Sequence, residues 1–298
     1  MILPPILILG SALAGRFPAS VPADSQPVVV STEWLSSHLK DRNLVLLHVG
    51  ERAGYDAGHI PGAQFVAPTT EWSTPRVEGQ LFLELPSPAI LDSAFEARGI
   101  SDDSRIVLYA ADQYFTPTSR ALFTLEYAGL KGQVSILDGG LPAWKSEGRP
   151  TSTEVPQPAR GRFTPRPDPS MVVDAAFVAA HLTDPKVRII DARDSAFYNG
   201  RETRQGRNGH IPGAANVPFQ TIVDSSGHFR SLAVLKTQFI NAGARDGQTV
   251  VTYCHIGQQA SLVWFGARLA GYPARLYDGS FQDWAMRKEL PVEGDRKP

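Results

Sequence analysis

Cysteine is almost missing from this chain of 298 residues: there is one, Cys254. A single cysteine excludes an intrachain disulfide framework and any zinc site built on several thiolates. Charge of either sign is not in surplus, with 29 Lys and Arg against 30 Asp and Glu and a net charge of −1. That balance leaves no electrostatic footprint for nucleic acid. No apolar run is long enough to cross a bilayer as a helix. No spacing implies a metal or a cofactor. What remains is ordinary globular composition, 42% hydrophobic and 20% charged, in a chain whose length suits two domains.

The N-terminal lead has two readings. Residues 2–15 are mostly apolar, and Val21-Pro22-Ala23 offers the small-residue side of a cleavage site, as in an exported precursor. Against export, no Lys or Arg precedes the apolar stretch and Pro4-Pro5 interrupts it. Periplasmic and cytoplasmic locations both stay open.

The cysteine itself sits in a telling place. It follows the β-branched run Thr249-Val250-Val251-Thr252-Tyr253 and opens a short loop, His255-Ile256-Gly257-Gln258-Gln259, before a helical pattern. A strand, a tight loop and a helix N-terminus can surround a thiol with backbone N–H groups and positive dipole potential. The expectation is a thiol that titrates below the free-cysteine value of about 8.5. The alternative is an inert, buried cysteine at a strand end.

The chain also repeats itself. An amphipathic helical stretch (residues 32–39 and 176–182) precedes an apolar strand (44–47 and 187–190) in each half. The string Gly58-His59-Ile60-Pro61-Gly62-Ala63 returns as Gly209-His210-Ile211-Pro212-Gly213-Ala214. A second strand follows (105–109 and 249–253), and each half closes on Asp138-Gly139-Gly140 with Trp144, or Asp278-Gly279-Ser280 with Trp284. Alternating strands and helices predict an α/β fold, each half a mostly parallel sheet flanked by helices. The proline-rich stretch 149–170 reads as an extended surface linker. The expected division is a lead over 1–26, a first domain over 27–148, the linker, and a second domain over 171–298. His59, His210, Trp144 and Trp284 recur in both halves, so turn geometry and core anchoring explain them best.

The doubled string, the Asp-Gly endings and one Cys-led loop resemble the tandem-domain rhodanese family of sulfurtransferases. The resemblance implies two rhodanese-like domains, an inactive first and a catalytic second. Aligning the strands sets Tyr109-Ala110 against Tyr253-Cys254, and His48 and Gly50 against Asp191 and Arg193. The first half thus lacks the thiol and its neighbouring charged pair.

On this reading Cys254 is the nucleophile. It takes the outer sulfur of a donor, holds it as a persulfide and passes it to cyanide, a thiol or a protein acceptor. The loop His255, Ile256, Gly257, Gln258 and Gln259 is expected to stabilise the anions, with Gly257 allowing the sharp turn. Asp191 and Arg193 end a strand on the ligand side of an open α/β sheet; they either orient the region or only pin a loop. His255 either faces the donor or solvent, and a Cys–His dyad is the less favoured reading because loop neighbours point apart. The loop carries no cation, and Phe197 stands where thiosulfate-handling members usually have one. Arg201, Arg204 and Arg207 could supply that charge, or form a plain surface loop.

Thiosulfate is the first-choice donor and 3-mercaptopyruvate the runner-up. A persulfide carrier without turnover would use the same thiol. A cysteine phosphatase is disfavoured, because it needs a longer loop ending in arginine, and here Gln259 and Ala260 stand there.

Overall fold

Among the described residues, ten short strands build two five-stranded sheets. The structure, a computed structural model, describes residues 27–204 and 206–294. The lead over residues 1–26 lies outside them. The first half contains β1 (Val29–Val30), β2 (Leu44–Val49), β3 (Gln64–Val66), β4 (Arg105–Ala110) and β5 (Val134–Leu137). The second contains β6 (Val172–Val173), β7 (Val187–Asp191), β8 (Ala215–Asn216), β9 (Thr249–Tyr253) and β10 (Ala274–Tyr277). Strand orders are β1-β5-β4-β2-β3 and β6-β10-β9-β7-β8, the same topology twice. Every pair of these strands is parallel. The near-continuous apolar strands explain why, since parallel sheets are buried on both faces.

Helices α1 (Thr32–His38), α2 (Arg52–Ala57), α3 (Pro68–Glu71), α4 (Pro88–Glu96), α5 (Thr116–Leu125) and α6 (Gly140–Ser146) cover the first sheet. Helices α7 (Ala175–Ala180), α8 (Ser195–Tyr198), α9 (Leu232–Asn241), α10 (Gln258–Leu269) and α11 (Ser280–Met286) cover the second. Local chemistry starts several of them. Ser31, Asp174, Asp194 and Ser231 each accept a hydrogen bond from a first-turn amide.

The repeated turn is structural in both halves. The His59 ring stacks on Tyr55 and contacts the carbonyls of Tyr55 and Glu154. His210 stacks on Tyr198 and contacts its carbonyl. Trp144 and Trp284 are fully buried, and their indole N–H groups donate to the carbonyls of Pro150 and Pro291.

The halves meet through α5 and α10. Phe123 packs edge-on against Trp264, 4.8 Å between ring centres, within a core that spans both sheets. Ser119 and Ser261, matching positions of the two helices, share a hydrogen bond of 2.9 Å. Glu126 and Arg268, also matching positions, form an ion pair at 2.5 Å. The closing aspartates cross over. Asp138 accepts from Phe229 N at 2.8 Å and contacts His228, while Asp278 accepts from Leu85 N at 2.8 Å and pairs with Arg120.

The stretch read as a surface linker is more firmly seated than its sequence suggests. It has almost no regular structure, but Gly161 N donates to Glu96 O and Arg166 N to Ala128 O. Phe163 is buried against Phe95. A Cβ on Gly161 would fall 2.0 Å from Ile100 O, so only glycine permits this approach. One aromatic and one glycine seat the segment, too few to register as periodicity.

Candidate active site

Cys254 lies one residue past β9 and four residues before the first residue of α10. The backbone amides of Ile256, Ala260, Gln259 and Gly257 favour its thiolate and so act to lower the thiol pKa. Gly257 makes this turn possible. Its φ is +85°, and a Cβ there would sit 2.9 Å from Asp278 O. The loop is held from below by Ser280, whose hydroxyl accepts from Cys254 N at 3.1 Å and donates to Tyr277 O at 2.9 Å. Ser280 keeps a left-handed φ of +52°, a conformation these two hydrogen bonds help maintain.

The thiol is not the lowered, accessible one expected from sequence. Cys254 is completely buried, and burial pushes its thiol above the ordinary value despite four amide donors that act the other way. Removing a thiolate from water costs more here than the amides return. Cys254 packs within the buried core, and the loop amides are the groups that favour its anion.

The remaining loop residues divide. His255 is buried, its ring edge-on to Phe197 at 4.5 Å. Burial, then the charges of Arg193 and Arg204, lower its pKa to about 3. It is neutral near pH 7, so an imidazolium–thiolate pair is not what activates Cys254. Gln258 donates to Thr116 Oγ1 of the first half at 3.1 Å, which ties the loop across the interface. The Gln259 side-chain oxygen is buried without a partner.

Asp191 and Arg193 form a buried ion pair, Nη2 to Oδ2 at 2.6 Å. Arg193 also donates to Gly209 O at 2.7 Å and lies 4.1 Å from the Phe281 ring centre. Burial, the largest single influence, opposes its charge, but Asp191 together with Tyr253 and Cys254 raises the guanidinium pKa on balance. The pair therefore fastens the end of β7 to the repeated turn and to α11. Neither residue lines the cavity beside the loop.

That cavity measures about 540 Å³. The loop contributes His255 and Ile256, the basic stretch contributes Arg204, and α11 contributes Gln282 and Met286. Arg76 and Phe82 come from the first half. Of the three arginines considered from sequence, only Arg204 reaches the cavity, its guanidinium 5.3 Å from the Phe197 ring centre. Arg201 is exposed and does not line it. Arg207 is spent on the backbone, donating to Leu290 O at 2.9 Å. For Arg201 and Arg207 the surface-loop alternative fits the structure, one serving solvent and the other the scaffold.

Several residues escaped the sequence reading. Arg120 is buried, paired with Asp278 and donating to Leu83 O at 2.6 Å. Arg76 and Phe82 lie in a stretch with no periodicity to mark them. Ser280 had a visible signal, because the first half has Gly140 in its place.

A Rhodanese-like domain model matches the chain twice, over residues 31–147 and 174–287. The chain belongs to the rhodanese family. Among its relatives, the sulfur carrier protein TtuD of Thermus thermophilus is 34% identical over 280 residues, covering 89% of this chain and 96% of that protein. A thiosulfate sulfurtransferase of Azotobacter vinelandii is 30% identical over 271 residues, covering 90% and 98%. The crystal structure of SseA from Escherichia coli, a 3-mercaptopyruvate sulfotransferase, superposes with a TM-score of 0.76 at 28% identity, covering 86% and 99%. This rhodanese thus shares its tandem architecture with relatives of more than one sulfur-transfer name.

Proposed function

We propose that this rhodanese is a sulfurtransferase that moves sulfane sulfur from thiosulfate to a thiophilic acceptor through a Cys254 persulfide. The place of Cys254 on the tight loop between β9 and α10, turned by the left-handed Gly257 and with loop amides that favour its anion, carries the reading. In the first step the thiol loses its proton to solvent and the thiolate attacks the outer sulfur of thiosulfate. A new S–S bond forms, the S–S bond of thiosulfate breaks, and sulfite leaves with the electron pair. In the second step cyanide, a thiol or a protein thiol attacks that sulfur, and Cys254 leaves as thiolate. The amides hold both the thiolate and the terminal sulfur of the persulfide without reorganising.

Residues 171–298 are assigned the chemistry, and residues 27–148 are assigned no nucleophile, because Ala110 stands where the thiol would be. Within the site, Cys254 acts covalently, the residue 255–259 loop supplies donors and walls, Asp191 and Arg193 position the loop, and Arg204 faces the donor. The test is steady-state thiocyanate formation from thiosulfate and cyanide. Wild type should turn over repeatedly, and Cys254→Ser should retain less than about one hundredth of that rate. Equal rates would end the proposal. 3-Mercaptopyruvate in place of thiosulfate tests the alternative donor.

A second reading is a sulfur carrier that loads once and waits for a protein acceptor. The complete burial of Cys254 favours it, since a buried persulfide is shielded from adventitious thiols. Stoichiometric loading without multiple turnover would select it.

A further inference from the structure

The cavity lined by His255 and Ile256, the two residues that follow Cys254, has one arginine on each side of the interface between the halves. Arg204 belongs to the second half and lies over Phe197. Arg76 belongs to the first half, and its guanidinium lies 5.2 Å from the Phe82 ring centre. Each cation is thus laid on an aromatic face that limits its motion. No carboxylate among the described residues forms an ion pair with either one, whereas most other arginines near the interface are matched. Their charge is available to a ligand.

The segment carrying Arg76 is built to stay in place. Thr74 N donates to Glu84 O and Leu83 N to Thr74 O, which closes residues 74–84 into a loop. Two contacts fasten that loop directly to the second half, Leu85 N to Asp278 and Gln282 Nε2 to Gln80 O at 3.2 Å, and Arg120 of the first half links Leu83 O to Asp278. Leu83 itself is buried with a φ of +64°, a left-handed conformation that an unrestrained leucine rarely adopts. The first half therefore holds Arg76 and Phe82 beside the catalytic loop at some backbone cost.

We propose that Arg76 and Arg204, one from each half, form a paired anion clamp that selects doubly charged sulfur donors of the thiosulfate class. The clamp rests on the sulfur-transfer reading above for its substrate. Its charge-selecting property does not. Arg76 acts by binding and positioning the donor, and it takes no part in bond making.

Two readouts test this. In the first, the rate of persulfide formation is measured against thiosulfate concentration by rapid quench and intact mass. Arg76→Ala should raise the half-saturating thiosulfate concentration about fivefold to tenfold, with the maximal rate nearly unchanged. Arg76→Lys should recover most of that loss, because it keeps the charge. The second readout needs no sulfur transfer. Alkylation of Cys254 by iodoacetate, an anion, is compared with alkylation by the neutral iodoacetamide. Arg76→Ala and Arg204→Ala should each lower the anion-to-neutral rate ratio, and the double variant should lower it most. An unchanged ratio in Arg76→Ala overturns the clamp. A lowered ratio with no sulfur uptake by wild type from thiosulfate keeps the clamp and rejects the sulfur-transfer reading.

Discussion

His48 and Asp191 occupy one place in two sheets. His48 lies opposite Tyr109 across β2 and β4, and Asp191 lies opposite Tyr253 across β7 and β9. Both tyrosine hydroxyls accept from the isoleucine amide of the repeated turn at 3.1 Å, Ile60 in one half and Ile211 in the other. The scaffold is therefore the same, and the chemistry around it is not. Asp191 holds Arg193, whereas His48 has a buried Nε2 without a partner and a pKa lowered to about 4 by burial, then by His59 and Lys145. At the position matching Arg193, a Cβ on Gly50 would lie 2.3 Å from Ala111 Cβ. Loop length differs too. Ala110 precedes the first residue of α5 by six positions, against four for Cys254 and α10. The difference teaches that a rhodanese half can lose its thiol, its ion pair and its loop geometry while its turn and tyrosine keep the sheet intact.

The strongest challenge to that contrast is to move the thiol. Ala110→Cys combined with Cys254→Ser should take up sulfur at less than about one hundredth of the wild-type rate, because the longer loop does not wrap position 110. Substantial uptake, read by intact mass, would break the comparison. The crossing aspartates offer the next test. Asp278→Asn leaves Arg120 buried without its counter-charge and should cost about 3–5 kcal/mol. Asp138→Asn, at the matching but more exposed site, should cost about 1 kcal/mol or less. Urea unfolding of both variants checks the asymmetry.

Two pH effects are smaller. Because burial raises the Cys254 thiol, sulfur loading should speed up with pH through neutrality and continue beyond the free-thiol value of about 8.5. A plateau well below that value would contradict the buried thiol. Glu84 is pushed up to about 8 by burial and by Asp278, against the pull of Arg120. A carboxyl raised in the folded state stabilises it fully below the ordinary value of 4.5 and loses that contribution as pH rises toward 8. Glu84→Gln should therefore gain melting temperature relative to wild type between those limits and show a constant difference above them.

Much of the fold was legible because the chain says it twice. The strands over residues 44–47, 105–109, 187–190 and 249–253 lie within β2, β4, β7 and β9. The alignment that paired His48 with Asp191 matches the sheet register. The loop was legible in part, because Gly257 and the single cysteine mark it, but Gln258 and Gln259, read as loop, form the first turn of α10. What sequence could not show was burial. The same strand-loop-helix order suits an exposed low-pKa thiol or an enclosed one, and only the packing of both halves decides. Contacts between halves were hidden for a related reason. Arg120 and Asp278 are far apart in the chain, and Arg76 lies in a segment with no periodic pattern.

The most direct measurement is intact mass after incubation with thiosulfate, followed by removal of excess donor. The account predicts that wild type gains a single sulfur atom, that cyanide removes it, and that Cys254→Ser gains none. Sulfur retained on Cys254→Ser, or a wild type that stays unmodified by thiosulfate and by 3-mercaptopyruvate, would contradict it.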